Sequence, residues 1–162
     1  MLGSTHFIAG AAIGRATGNP FLAVIFGLIA HFLMDLIPHF DYGYFFKKNV
    51  RSFLIAVSDP FAGLLIFLLI AYFKHYNLEQ FLIAFIGGLA CILPDVLGVG
   101  IKFFKIKKLK WFCYFHDRLH WFIKEKFDPF EWKKGYITKK GIAWGVIYQI
   151  PFIVFSLWLL IR

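Results

Sequence analysis

Charge is scarce in this chain. Asp, Glu, Lys and Arg make up 17% of its 162 residues, where an ordinary soluble domain carries about 25%. So few charges cannot cover the surface of a water-soluble fold of this size, which excludes that class and a disordered chain as well. Acids are the scarcer sign, 9 against 18 Lys and Arg. Cysteine is nearly missing: Cys91 and Cys113 are the only two, in settings too unlike to form a disulfide framework. Cys91 reads as a small apolar packing residue within an apolar run. Met1 to His6 hold no basic cluster, and Arg15 interrupts the apolar stretch that follows; the start does not read as a cleaved signal. Internal repeats and linker-like tracts are also lacking, so 1–162 reads as a single integral membrane domain.

What the chain has in excess is apolar surface. Hydrophobic residues reach 60% and aromatic ones 21%, with 22 Phe. Apolar runs at about 20–38, 52–73, 80–101 and 141–161 each approach the roughly 20 residues a helix needs to cross a bilayer. They are too long for buried strands and show no alternation, so the expected class is all-α, a polytopic membrane bundle with about four transmembrane helices. Asn19-Pro20 marks a helix start, Pro38 closes the first run, Lys74 and Lys102 end the next two, and Gly141 opens the last. Residues 4–17, rich in Ala and Gly, predict a short N-terminal helix packed against the bundle. Residues 111–126, aromatic among charges, predict an interfacial amphipathic helix.

The charge that is present is unevenly placed. Residues 102–140 hold 12 of the 18 cations and 4 of the 9 acids. Beside apolar runs this reads as a basic cytoplasmic loop near anionic lipid head groups, in preference to a nucleic-acid surface. The 39–51 loop, with Lys47, Lys48 and Arg51, falls on the same side when four spans alternate. Both loops are then cytoplasmic, and the composition suits a bacterial inner membrane.

Ionisable residues inside the runs are costly, about 2.5–3.5 kcal/mol each at a helix centre, and mark candidate sites. His31 and Asp35 lie in the first run, Asp59 in the second and Asp95 in the third. Counted from the cytoplasmic ends, His31, Asp59 and Asp95 fall at roughly 11, 10 and 9 Å, in one leaflet. His6, His39, Asp41, His116 and His120 belong to the same side. His31, Asp35 and His39 at i, i+4 and i+8 share a helix face, and His116 and His120 form a second i, i+4 pair. Such pairs suit a divalent ion of the zinc type. The expected metal ligands are therefore His6, His31, Asp35, His39, Asp41, Asp95, His116 and His120, holding one to three ions. Structural roles compete: Asp59 and Asp95, each beside a proline, suit caps at helix breaks, and Asp41 suits a turn with Tyr42-Gly43.

Ser4-Thr5-His6-Phe7-Ile8-Ala9-Gly10, the stretch from His31 to Asp41, Leu93-Pro94-Asp95 and the His116/His120 pair resemble small bacterial membrane proteins described as membrane-bound metal-dependent hydrolases. More distantly, His31-x3-Asp35 is similar to a motif of the zinc-dependent phospholipase C and single-strand nuclease superfamily. There a histidine follows six residues after the Asp, and a later His-x3-Glu or His-x3-Asp completes the set; here Asp41 and His116-x3-His120 stand instead. The resemblance implies a metal-dependent hydrolase acting on a lipid or lipid-linked phosphoester. Asp59 would serve as general base or would orient a ligand, and Arg118 would contact phosphate. An ion or proton transporter is the competing expectation, but the outer halves of the runs, such as Gly63–Phe73, are almost purely apolar. A non-catalytic metal-binding scaffold is the other.

Overall fold

Every regular element among the described residues is a helix, as the apolar runs predict. The computed structural model describes residues 1–37, 39, 50–126, 143 and 145–162, and their side chains except those of 50–53, 55–57 and 120–126. In chain order the helices are α1 (Gly3–Thr17), α2 (Pro20–Asp35), α3 (Val50–Phe73), α4 (Leu78–Phe103), α5 (Lys110–Lys126) and α6 (Ile150–Ile161), with a 3-10 turn at Lys107–Leu109 ahead of α5.

Local signals set the boundaries. Gly18 closes α1 in the left-handed region at φ 58° and donates its N–H to the Gly14 carbonyl. Asn19 then caps α2, accepting from Phe21 N at 2.9 Å and Leu22 N at 3.1 Å, with Pro20 in the first turn. Asn77 and Gln80 form a reciprocal capping box at the start of α4. α2 ends at Asp35, ahead of Pro38 as expected. The amphipathic helix expected at 111–126 is α5, one residue longer at its start. Gly141, expected to open the last run, lies outside the described residues.

Lengths set the number of crossings that the helices can make. Among the described residues α4, with 26, is the one helix both long and apolar enough to cross a membrane. Pro20–Asp35, Ser58–Phe73 and Gly145–Ile161 are apolar but shorter. At 1.5 Å per residue, the 16 residues of α2 reach about 24 Å, short of a hydrocarbon core of about 30 Å.

α1 does not lie against the bundle as expected; it runs through the middle. Thr5 to Ala12 and Gly14 are buried except where Ile13 emerges, and α1 packs on α2, α3, α4 and α6. Small residues make this possible. A Cβ on Gly10 would collide with the Gly87 carbonyl and the Cys91 side chain, and one on Gly87 would collide with the Gly10 carbonyl. The core around α1 comprises Phe7, Ile8, Ala11 and Ala12 with Phe67, Ala71, Ala84 and Leu160. Gly87→Ala should therefore lower stability by about 1–3 kcal/mol through overpacking. Gly100→Ala, where a Cβ meets nothing within 4 Å, should raise it by up to about 1 kcal/mol. Thermal melting of the two variants in one detergent, side by side, gives shifts of opposite sign.

Polarity is inverted relative to a soluble protein. Thr5, His6, His31, Asp35, His39, His116, Gln149 and Ser156 are buried, while Phe26, Leu33, Phe61, Leu69, Leu89, Val96, Phe155 and Trp158 face outward. Of the buried polar groups Thr5, His6, Asp35 and Gln149 gather near the start of α1.

Candidate metal centre

The start of α1 is held from outside. Leu2, its N-cap residue, offers no side-chain acceptor, so the first N–H groups must find partners elsewhere. Asp59 of α3 supplies them, with Gly3 N at 2.5 Å and Ser4 N at 3.3 Å on Oδ2, and the Ser4 hydroxyl at 2.7 Å on Oδ1. A carboxylate here also complements the positive end of the helix dipole. Gln149, just ahead of α6, accepts from Leu2 N at 2.9 Å and from the Thr5 hydroxyl at 3.1 Å, and donates to the Gly145 carbonyl at 2.9 Å. Asp59 therefore caps α1 and not, as expected, a break at its own proline: α3 runs on through Pro60. Asp59→Ala should cost about 1–2 kcal/mol of stability, as a thermal melt would record.

One turn beyond that cap, His6 enters the site. His31 and Asp35 come from α2, Asp95 from α4 and His116 from α5. One ligand atom each from His31, Asp35, Asp95 and His116 lies within 4.8 Å of every other. His31 Nε2 is 3.0 Å from His116 Nε2 and 3.1 Å from Asp35 Oδ2. His116 Nε2 is 3.6 Å from Asp35 Oδ2 and 3.4 Å from Asp95 Oδ1. A tetrahedron with metal–ligand bonds of about 2.0–2.2 Å has edges of about 3.3–3.6 Å. These four distances lie near that size, and the other separations of the group reach no more than 4.8 Å.

The histidines are oriented by their other nitrogens. His31 Nδ1 lies 2.7 Å from the Cys91 carbonyl oxygen, which can only accept, so the proton is on Nδ1 and the Nε2 lone pair faces the cluster. Pro94, three residues on in α4, cannot donate to the Ala90 carbonyl, and the Cys91 carbonyl beside it takes the imidazole. His39 Nδ1 lies 2.6 Å from the Ile37 carbonyl, which turns its Nε2 toward Asp35 Oδ1 at 3.6 Å. The expected helical i+8 position of His39 is not what places it: the helix has already ended, and the imidazole folds back from beyond it. This pattern of backbone-oriented imidazoles is that of metal-binding histidines.

Asp35 is the hub, fully buried between the histidines. Its Oδ1 meets His6 Nε2 at 3.1 Å and the α-ammonium of Met1 at 2.6 Å. His116, at the edge, feels several carboxylates. Burial is the largest single influence and opposes its cation, but Asp117, Asp95 and Asp35 together outweigh it and hold the imidazole up at about 9. Asp117 also pairs with Lys102 at 2.8 Å, tying α5 to the end of α4. The surroundings therefore favour positive charge at this point.

Of the eight residues expected as ligands, His31, Asp35, Asp95 and His116 form a group that could hold an ion, and His6 and His39 lie against Asp35 beside it. Asp41 and the side chain of His120 lie outside the described residues. Arg118, two positions past His116, is exposed and donates to the Tyr114 hydroxyl at 2.9 Å, which places it on a different face of α5 from the cluster. Gln149 and the Cys91 carbonyl were not anticipated. A glutamine after a tyrosine in an apolar run is a faint signal, and a backbone acceptor gives none. No family model matches the chain, and neither does any curated protein or solved structure.

Proposed function

We propose that this chain is a membrane-embedded, metal-dependent hydrolase that cleaves a phosphoester of a lipid or lipid-linked substrate at the cytoplasmic leaflet. The observation that carries the reading is the convergence of His31, Asp35, Asp95 and His116, with ligand atoms within 4.8 Å of one another, beneath an apolar exterior. Zinc is the ion we assign, since two imidazoles and two carboxylates are ligands that suit it. When bound it would lower the pKa of a coordinated water and polarise a phosphoryl oxygen.

The surroundings supply the rest. Asp35 is buried but the Asp95 side chain is 29% exposed, so the cluster is reached from the Asp95 side. About two turns further along α4 begins a run of exposed lysines, Lys102, Lys105, Lys107, Lys108 and Lys110, with exposed Phe103, Phe104, Trp111 and Tyr114 among them. Lysines among aromatic rings suit the head-group region of an anionic leaflet, where they would concentrate an anionic substrate. The outward Phe, Leu and Val side chains of α2, α3, α4 and α6 far exceed what a water-exposed monomer tolerates. We read α2, α3 and α6 as crossing with α4 in a multi-pass inner-membrane bundle, the shorter ones by local thinning of the bilayer.

A structural metal that pins α5 to the bundle is the second reading. Four protein ligands around one ion favour it, because catalytic zinc keeps a position open. Phosphate release separates the two. Chelated and zinc-reloaded protein in detergent should release phosphate from lipid phosphoesters, and His31→Ala should not. Release by the metal-depleted protein would overturn the metal-dependent reaction. Inactivity of fully loaded protein across lipid and water-soluble phosphoesters would leave the structural reading standing.

A further inference from the structure

Two histidines meet Asp35 in opposite tautomers. His31 carries its proton on Nδ1, held by the Cys91 carbonyl at 2.7 Å, and turns its bare Nε2 to Asp35 Oδ2 at 3.1 Å. His6 is the reverse. Its Nε2 lies 3.1 Å from Asp35 Oδ1, a carboxylate oxygen that accepts, so the proton sits on Nε2. A nitrogen that carries a proton has no lone pair for an ion. The remaining nitrogen of His6, Nδ1, lies 3.9 Å from Cys91 Sγ and takes the thiol proton. Both rings are fully buried, their centroids 4.3 Å apart. The Met1 α-ammonium also donates to Oδ1, at 2.6 Å, and with His6 it fills the two lone pairs of that oxygen. Oδ2 faces the other way, toward His31 and His116 at 3.1 and 3.6 Å.

We infer that His6 is a positioning residue of the metal centre and not a ligand. By donating to Asp35 Oδ1 it presents Oδ2 to the ion on His31, Asp95 and His116. Cys91 sets both imidazoles, His31 through its carbonyl and His6 through its thiol. This deepens the metal-centre reading above and rests on it. A carboxylate bound to an ion through one oxygen turns readily about its last torsion, which is broad and two-fold, unless its other oxygen is held. Such a fixed donor is worth about 10–100-fold in metal affinity. The close approach of α1 and α4 is what brings the thiol to His6, since Gly10 lies so near Cys91 that a Cβ there would collide with it. One residue of α4 thereby gives a ligand and its support the opposite tautomers that their tasks need.

The test is cobalt titration of the full chain in detergent, stripped with chelator beforehand and read by the visible absorption of the bound ion, which reports its ligands and geometry. Wild type should bind about one equivalent. His6→Leu should bind the same amount with a Kd about 10–100-fold higher, and its saturated spectrum should match that of wild type. His6→Gln, whose amide N–H stands where the imidazole N–H stood, should regain most of the affinity. Cys91→Ala removes the thiol and leaves the carbonyl, so it should weaken binding in the same direction by less; it stands in for His6→Leu should that protein not fold. A saturated spectrum altered in His6→Gln, or a sulfur-to-cobalt charge-transfer band in wild type, would make His6 or Cys91 a ligand and overturn the inference. Unchanged affinity in His6→Leu and Cys91→Ala would overturn it as well. Folded wild type that binds no cobalt would instead overturn the metal centre itself.

Discussion

His31→Ala combined with His116→Ala should empty the metal centre, taking its content from about one equivalent to nearly none. The two imidazoles carry Nε2 atoms only 3.0 Å apart, and His31 is locked in a tautomer that cannot donate from Nε2 toward its neighbour. His116, held protonated by its carboxylate neighbours, donates from Nε2 to the His31 Nε2 lone pair, and a metal ion bound between the rings takes the place of that proton. Removing both leaves Asp35 Oδ2 and Asp95 Oδ1 alone, a pair of carboxylate oxygens that holds a transition metal weakly. Any hydrolysis that depends on the metal falls with it. Elemental analysis of the variant beside wild type, both purified without chelator, gives the result directly. Metal retained at the wild-type level would remove these two histidines from the ligand set. A single His31→Ala change should cost much of the same affinity, because the Cys91 carbonyl that orients the ring has no other imidazole to hold.

Stripping the metal should lower the melting temperature by about 5–10 °C. Ligand that binds only the folded state at about 100 times its Kd contributes about 2.7 kcal/mol, and a chain of this length shifts by about 2–4 °C per kcal/mol. The sign is secure on local grounds. An ion held by His31, Asp35, Asp95 and His116 binds the folded arrangement and not the unfolded chain, so its removal lowers stability. The effect must be read as a difference between proteins: chelator should shift wild type, and should leave the His31→Ala/His116→Ala protein nearly unmoved. Equal shifts in both would mean that the chelator acts elsewhere.

The centre was more legible in the sequence than the bundle around it. His31 and Asp35 stand one helical turn apart in an apolar run, and nothing but a shared partner explains that placement. Asp95 and His116 were placed on the same side, and α4 and α5 bring them together. Depth is a one-dimensional coordinate, though, and Asp59 shows its limit. It lies at nearly the same height as Asp95 but on α3, which presents it to the first turn of α1 and to Gly3 and Ser4 in place of the histidines. The centrality of α1 was hidden for a related reason. Its Ala and Gly residues announce close approach but not from how many sides, and only the packed neighbours answer that. The partners of the imidazole nitrogens were out of reach altogether, since every residue has a carbonyl and the sequence does not mark the one beside Pro94 that is turned toward His31.

The cap on α1 has a mechanical side. A helix turns about 100° for each residue it advances, so a slip by a single residue would swing His6 out of the cluster and carry its imidazole toward α3 or α6. Gly87 and Gly10 touch through smooth backbone surfaces that resist such sliding only weakly. Asp59 and Gln149 grip particular residues, Leu2, Gly3, Ser4 and Thr5, and so act as an index pin that sets the angle of the whole rod. The placement of His6 beside Asp35 is in this way delegated to Asp59 and Gln149.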